Sequence, residues 1–279
     1  MNRAKEERKN LASVAANTPY VVWSLIFIIV PLFVVAYYAF TDDAGSLTFG
    51  NLMDLSKPEY VESFLMSLGY SVIATLITLI IAYPFAYVLS KCSASSQKIQ
   101  MMLVMLPMWM SLLIRTYSLT QLLESNGIIN NLLTSIGLEP LKMINTPGAV
   151  ILGMVYNYLP YMILPIYTAI SKIHPSLFEA AEDLGCNGFN KIRRLVLPLS
   201  MPGVVSGIIM VFVPSVSTFY ISQKLGGTIK LVGDVIETQI KYNNNYHLGA
   251  AMSLVLMVFI LISLAIMNKF SDDDGGMIV

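Results

Sequence analysis

The sequence predicts an all-α protein that crosses a membrane six times, with both ends on the cytoplasmic side. Three observations carry that prediction. Of the 279 residues, 56% are hydrophobic and only 12% are charged, and the mean hydropathy is +0.67. That is too little charge to cover a soluble domain of this length. Six apolar stretches, 20–40, 64–90, 99–122, 147–170, 200–221 and 248–268, reach the ~20 residues that a helix needs to cross ~30 Å of hydrocarbon. Prolines 31, 84, 107, 160, 165 and 214 stand inside these stretches. Neighbouring helices re-satisfy the freed backbone groups in a membrane bundle, whereas a soluble helix would lose stability at each proline.

The chain opens with MNRAKEERKN, read as a cytoplasmic segment over 1–19. The apolar run behind it is longer than the ~7–15 residues of a signal-peptide core, and no A-x-A site follows, so it is an uncleaved first span. Lysine and arginine set the orientation. Arg3, Lys5, Arg8 and Lys9 precede span one, and Lys91 and Lys98 lie between two and three. Lys172, Lys191, Arg193 and Arg194 lie between four and five, and Lys269 opens a cytoplasmic tail over 269–279. The opposite side carries Lys57, Lys142, Lys224, Lys230 and Lys241. It is offset by five acids in the loop 41–62 and by Asp234 and Glu237 further on. Also outside lies 124–138, where Ile128, Ile129, Leu132, Leu133 and Ile136 recur at helical spacing. It is too short to span, and reads as a helix lying on the membrane or as a docking surface.

The loop 172–198 joins spans four and five and contains SLFEAAEDLGCNG, an acidic island over 176–188. Ser176 and Glu179 form an S-x-x-E capping box. Pro175 just before it stops the preceding helix, since His174 is biased away from the helical region. Leu177, Ala180, Ala181 and Leu184 share one face, and Gly185 is placed to end the helix in a left-handed turn. Gly188 permits a second turn, and a basic amphipathic helix then leads to Pro198. Two alanines leave little bulk on the apolar face, so a partner can approach closely. A loop helix resting on lipid headgroups fits the same pattern.

The run Glu179-Ala180-Ala181, three intervening residues, Gly185, nine more residues and then LVLP ending at Pro198 resembles the EAA signature of ATP-binding-cassette importer permeases. Leu195 stands where isoleucine is usual. The resemblance implies the type I ABC importer transmembrane-domain fold over 20–268, in the cytoplasmic (inner or plasma) membrane of a bacterium. It implies that the loop is a coupling helix seated on an ABC ATPase dimer, with Glu179, Ala180, Ala181 and Gly185 as contact and hinge positions; the capping logic sets Ser176 and Pro198 as its boundaries. ATP and magnesium would then sit on the partner ATPase subunits, with no cofactor on this chain. A second homologous permease and an extracytoplasmic binding protein would complete the assembly. The stretches 106–138, 214–240 and 247–257 are similar to spermidine/putrescine permeases of the B type, which points to polyamines as cargo. Related permeases of the same architecture carry iron, thiamine or sulfate.

A cationic, methylene-linked cargo calls for carbonyls, carboxylates and aromatic faces along its path. The spans hold no acid, so the pathway candidates are Tyr117, Tyr156, Asn157, Tyr158, Tyr161, Phe219 and Tyr220. Tyrosines near span ends also serve as interfacial belts; Asn157, an amide in mid-span four, is the sharper candidate. Arg115 is the one basic residue well inside a span, and such a group needs a partner or a wet cavity. It reads as a structural or gating residue that would repel a cation. A path without acids holds its cargo weakly, which assigns capture to the binding protein.

The sequence weighs against other classes, with a stand-alone secondary carrier kept as an alternative. Zero net charge removes the bulk basic character that nucleic acid requires. Cys92, Cys186, His174 and His247 show no metal-site spacing. There is no GxxxxGK[ST], so nucleotide hydrolysis belongs to another subunit, and no HExxH or GxSxG for a membrane protease or esterase. A secondary carrier working alone would leave the acidic loop without a purpose.

Overall fold

The computed structural model describes residues 18–275, which are helical almost throughout. Most of the predicted cytoplasmic segment 1–19, with its four orienting basic residues, lies outside the described residues, as do the last four residues of the tail. In chain order the helices are α1 Thr18–Ala39, α2 Gly50–Asp54, α3 Pro58–Lys91, α4 Ala94–Trp109, α5 Leu112–Leu123 and α6 Ile128–Ser135. There follow α7 Pro147–Ser171, α8 Pro175–Asp183, α9 Gly188–Val216, α10 Tyr220–Leu225, α11 Val232–Lys241 and α12 Tyr246–Gly275. Five of them, α1, α3, α7, α9 and the Tyr246–Met267 part of α12, are long and apolar enough to cross a membrane.

The third predicted span is a broken one. Ala94–Trp109 and Leu112–Ser135 are bent by 96° at Met110 and Ser111, and together they make the sixth candidate crossing. Pro107 tightens the end of α4 into a 3-10 turn over Leu106–Trp109, and Met110 is extended (φ −85°, ψ 145°). The Ser111 hydroxyl then accepts from the Leu113 N–H and starts α5 afresh. The fifth span also ends earlier than predicted, at Val216, and α10 restarts four residues later.

Two compact units are present. One comprises the chain up to Lys57 together with Thr238–Met257. Ala39, Ala250 and Ala251 form its small core, flanked by Leu52, Leu55 and Leu254. The Asn51 amide donates to the carbonyls of Ala39 and Thr41, fixing the chain as it leaves α1.

The other unit, Pro58–Glu237 with the chain from Val258, is built on α3, α7 and α9. The buried stripe of α3 is made of small residues, Ser63, Ser67, Ser71, Ala74, Thr75, Thr78, Ala82 and Ala86, at helical spacing. Small residues let helix backbones approach, which is what drives association where no hydrophobic effect acts. The Thr75 and Thr78 hydroxyls donate back to the carbonyls of Ser71 and Ala74, so they stay satisfied in an apolar interior. α9 contributes Gly203 and Gly207, four apart. A Cβ on Gly203 would stand 2.5 Å from Ala169 Cβ and 2.6 Å from the Pro165 carbonyl of α7. Tyr83 and Ser200 bond at 3.0 Å between α3 and α9.

On α6, Ile128, Leu132 and Ile136 are exposed along one side, while Asn130 is buried and staples the loop through both its amide atoms to Leu141.

Candidate functional site

The acidic loop folds as predicted in kind, with its start shifted. His174 is extended (φ −65°, ψ 137°), as the residue before a proline favours. It is His174 that caps α8: its Nδ1 accepts from the Ser176 backbone N–H at 3.3 Å and lies 2.8 Å from the Ser176 hydroxyl. Pro175 takes the first helical position, where its missing N–H costs nothing. Ser176 is therefore inside the first turn, and the expected Ser176–Glu179 capping box is replaced by a histidine cap.

The other end is a Schellman motif. Gly185 has φ +74°, its N–H donates to the Glu182 carbonyl at 2.8 Å, and the Cys186 N–H donates to the Ala181 carbonyl at 2.9 Å. Asn187 then restarts the helix, its side chain accepting from the Asn190 N–H at 2.9 Å. The N-x-x-N spacing over 187–190 is the sequence signal of that restart, and Gly188 takes the first helical position.

Pro198 is not a boundary. The Leu197 N–H reaches back five residues to the Ile192 carbonyl, and this π turn over Ile192–Val196 carries α9 through the proline. A proline ring collides with the carbonyl four residues back, and one extra residue in the turn relieves that collision. The same device precedes Pro31 in α1, where the Val30 N–H reaches the Leu25 carbonyl.

No residue of α8 is buried. Glu179 and Ala180 are exposed and Ala181 is half-buried. Leu177 and Leu184 stand out from the helix, Leu184 with 83% of its surface free, and Phe189 is exposed just beyond. Glu182 is held by Lys191, whose hydrogen bond and charge keep its carboxyl below the usual carboxylate range. A short, firmly ended helix thus displays bare apolar side chains beside free carboxylates.

The pathway candidates fall into two sets. Arg115 and Asn157 come together in the interior, 4% and 0% exposed. One guanidinium nitrogen of Arg115 donates to the Asn157 main-chain carbonyl at 3.1 Å. The Asn157 amide donates to the Gly153 carbonyl at 2.9 Å and to the Thr116 hydroxyl at 3.3 Å. Among the described residues Arg115 Nε and Asn157 Oδ1 have no hydrogen-bond partner. Tyr158 is buried beside them, its hydroxyl donating to the Pro214 carbonyl at 3.3 Å and its ring edge-on to Tyr161 at 6.4 Å. Tyr117, Tyr156 and Phe219 are exposed and do not join this cluster. Tyr220 opens α10, with Lys224 Nζ 5.7 Å from its ring centre.

One group that the sequence reading treated as outer-loop charge is interior. Asp234, in the first turn of α11, is 4% exposed. Its Oδ2 accepts from the Leu231 N–H at 2.9 Å, and its Oδ1 has no hydrogen-bond partner among the described residues. The Ser222 hydroxyl, which donates to the Phe219 carbonyl, and the Gln223 amide, which bonds Glu237, face it from α10. Burial pushes its carboxyl up to about 6, assisted by the Glu237 charge and opposed by the Ser222, Leu231 and Gln223 contacts. The neighbouring Val232 N–H is capped from α3 by the Ser67 hydroxyl at 2.7 Å.

Residues 97–272 match the family model described as "Binding-protein-dependent transport system inner membrane component". The spermidine/putrescine transport system permease protein PotB of Haemophilus influenzae is 39% identical over 245 residues, 85% of this chain and 86% of that protein. PotB of Escherichia coli K12 is 36% identical over the same length, 85% of this chain and 89% of that one. Among solved structures, a chain of a bacterial alginate ABC transporter superposes with a TM-score of 0.83 at 18% identity, covering 99% of both chains. A chain of the MetNI methionine ABC transporter does so with a TM-score of 0.60 at 15% identity, over 78% of this chain and 99% of that one. The bundle is thus the type I ABC importer transmembrane fold, and the chain belongs to the family of binding-protein-dependent transport system inner membrane components.

Proposed function

We propose that this chain is the membrane-spanning permease subunit of an ATP-driven polyamine importer, working as a multi-pass protein of the cytoplasmic membrane. The cargo assignment rests on the named function of relatives more than one-third identical along most of their length. Both termini face the cytoplasm, by the lysine and arginine distribution. The ATPase subunits seat on α8, and ATP and magnesium stay with them. A second homologous permease closes the path, and an extracytoplasmic binding protein delivers the polyamine.

One observation carries the coupling role. α8 bears the EAA pattern, is capped at one end by His174 and closed at the other by Gly185, yet buries none of its residues. Among the described residues nothing covers Leu177, Leu184 and the Ala180 face, and a stiff helix with such a face fits a groove on another protein. The inner path runs past carbonyls and aromatic rings. Arg115, sealed inside, keeps like charge away from the cargo until the bundle rearranges. The test is uptake of labelled spermidine and putrescine by cells co-expressing the ATPase, with and without Glu179→Lys. The wild type should accumulate both labels in competition with each other, and the variant should lose uptake. Undiminished complex assembly together with unchanged uptake by Glu179→Lys would refute the coupling role, and uptake indifferent to unlabelled polyamine would refute the cargo.

A further inference from the structure

α8 is attached to its own chain by only a few side chains. Its outward face is bare, and its half-buried Phe178 is the one large residue turned to the body. Over that ring stands Lys91, the last residue of α3, its Nζ 3.3 Å from the ring centre and 5.8 Å from that of Tyr87. A lysine ammonium on an aromatic face is held by the ring's quadrupole, and it stays there only while ring and cation keep their mutual position. One turn beyond Phe178, Glu182 pairs with Lys191 at the start of α9. α8 therefore hangs between two supports, a stacked one on α3 and an ionic one on α9.

The far part of α3 is tied just as specifically. Ser67 caps the first N–H of α11, and that helix carries the buried Asp234. Ser67 and Lys91 are 24 residues apart in one continuous helix, about 36 Å at 1.5 Å rise per residue. A rod of that length turns a small displacement at one end into a tilt at the other, provided both ends are gripped.

We infer that Lys91 is a positioning residue for energy coupling: its ammonium, stacked on Phe178, makes α3 follow the movement of α8 and carries that movement to the Ser67–α11 contact. The inference rests on α8 being the seat of the ATPase. It differs from that reading in assigning to Lys91 a hold on Phe178 and no part in docking.

The experiment uses the complete assembly, permeases, ATPase and binding protein, reconstituted in liposomes, with polyamine uptake and ATP hydrolysis measured on the same sample. Lys91→Ala should still bring down the ATPase subunits but should lower uptake per ATP hydrolysed by about threefold or more, the shift expected from losing one cation–π contact near the surface. Phe178→Leu should reproduce the defect, the double variant should be no worse than either, and Lys91→Arg, which stacks as well, should restore the ratio. A Lys91→Ala transporter with the wild-type ratio overturns the inference. So does a Lys91→Arg variant as defective as Lys91→Ala, or a Lys91→Ala chain that no longer binds the ATPase. A wild-type chain that brings down no ATPase overturns the docking reading, and this inference with it.

Discussion

Replacing Asp234 by asparagine should stabilise the protein at neutral pH, and should do so much less in acid. The carboxyl is raised from 3.8 to about 6, first of all by burial. A carboxyl raised on folding contributes its full stability below its unfolded value and loses it as pH rises through the folded one. The costly window therefore runs from about pH 4 upward, and by pH 7.5 the ionised group is paid for in full. Two pK units correspond to about 3 kcal/mol. The exposed Gln223 beside it lets solvent screen the charge, which brings the figure to on the order of 2 kcal/mol.

Asparagine keeps the acceptor for the Leu231 N–H and is neutral at every pH, so it removes the cost without removing the cap. For a domain of this size ~2 kcal/mol amounts to roughly 4–8 °C in Tm. The assay is thermal unfolding of both forms in the same detergent at pH 7.5 and at pH 4.5. The gap should favour Asp234→Asn at pH 7.5 and shrink to about a third at pH 4.5, where most of the unfolded carboxyl is still ionised but the folded one is not. A variant less stable than the wild type at pH 7.5 would refute the reasoning, because it would mean that the charge itself is bound by something. An equal gap at both pH values would refute it too, since the effect would then be steric.

Two further perturbations test the packing. Gly203→Ala places a Cβ 2.5 Å from Ala169 and 2.6 Å from a backbone carbonyl, so it should destabilise by about 1–3 kcal/mol; Gly188→Ala, which meets nothing within 4 Å, should stay within about 0.5 kcal/mol of wild type, and equal Tm values for the two would sink the close-contact account. Arg115→Met keeps the side-chain bulk and removes a buried charge that donates to the Asn157 main-chain carbonyl; Tm should hold or rise, as buried ionic groups replaced by apolar ones of similar volume often show, and a loss above about 2 kcal/mol would show that the guanidinium is a net stabiliser.

The spans were legible because an apolar run of helix length has one stable fate in lipid. The break in the third was not. Pro107 looks in sequence like Pro84 or Pro160, each of which sits inside a continuous helix. What differs is Ser111, placed to supply a new cap four residues after the proline, and nothing in hydropathy marks it. Gly185 was readable since only glycine takes φ +74° at no cost. Ser176 misled because an S-x-x-E box and a proline at the first helical position compete for the same turn, and the proline fixed the register. Asp234 could not have been placed from its neighbours in sequence. Its burial depends on Gly233, where a Cβ would stand 2.6 Å from the Thr218 carbonyl, and on a serine 167 positions earlier. Only the close approach of α11 makes that acid interior.

These cases share a cause. In a chain whose long helices are apolar, the backbone groups that most need partners are at helix ends, since each end leaves several N–H or carbonyl groups without an intrahelical bond. Ser111, His174, Asn187, Ser67 and Asp234 all answer that need. Capping side chains therefore collect where helices stop and start, and those are also the places where one helix can move against another without unpacking a core. That is why Lys91 and Asp234, neither of them in a motif, stand at helix ends, whereas Arg115 and Asn157, which lie inside spans, are buried and bonded to backbone carbonyls of the bundle: in lipid an ionisable or amide side chain needs either a helix end to cap or an interior partner.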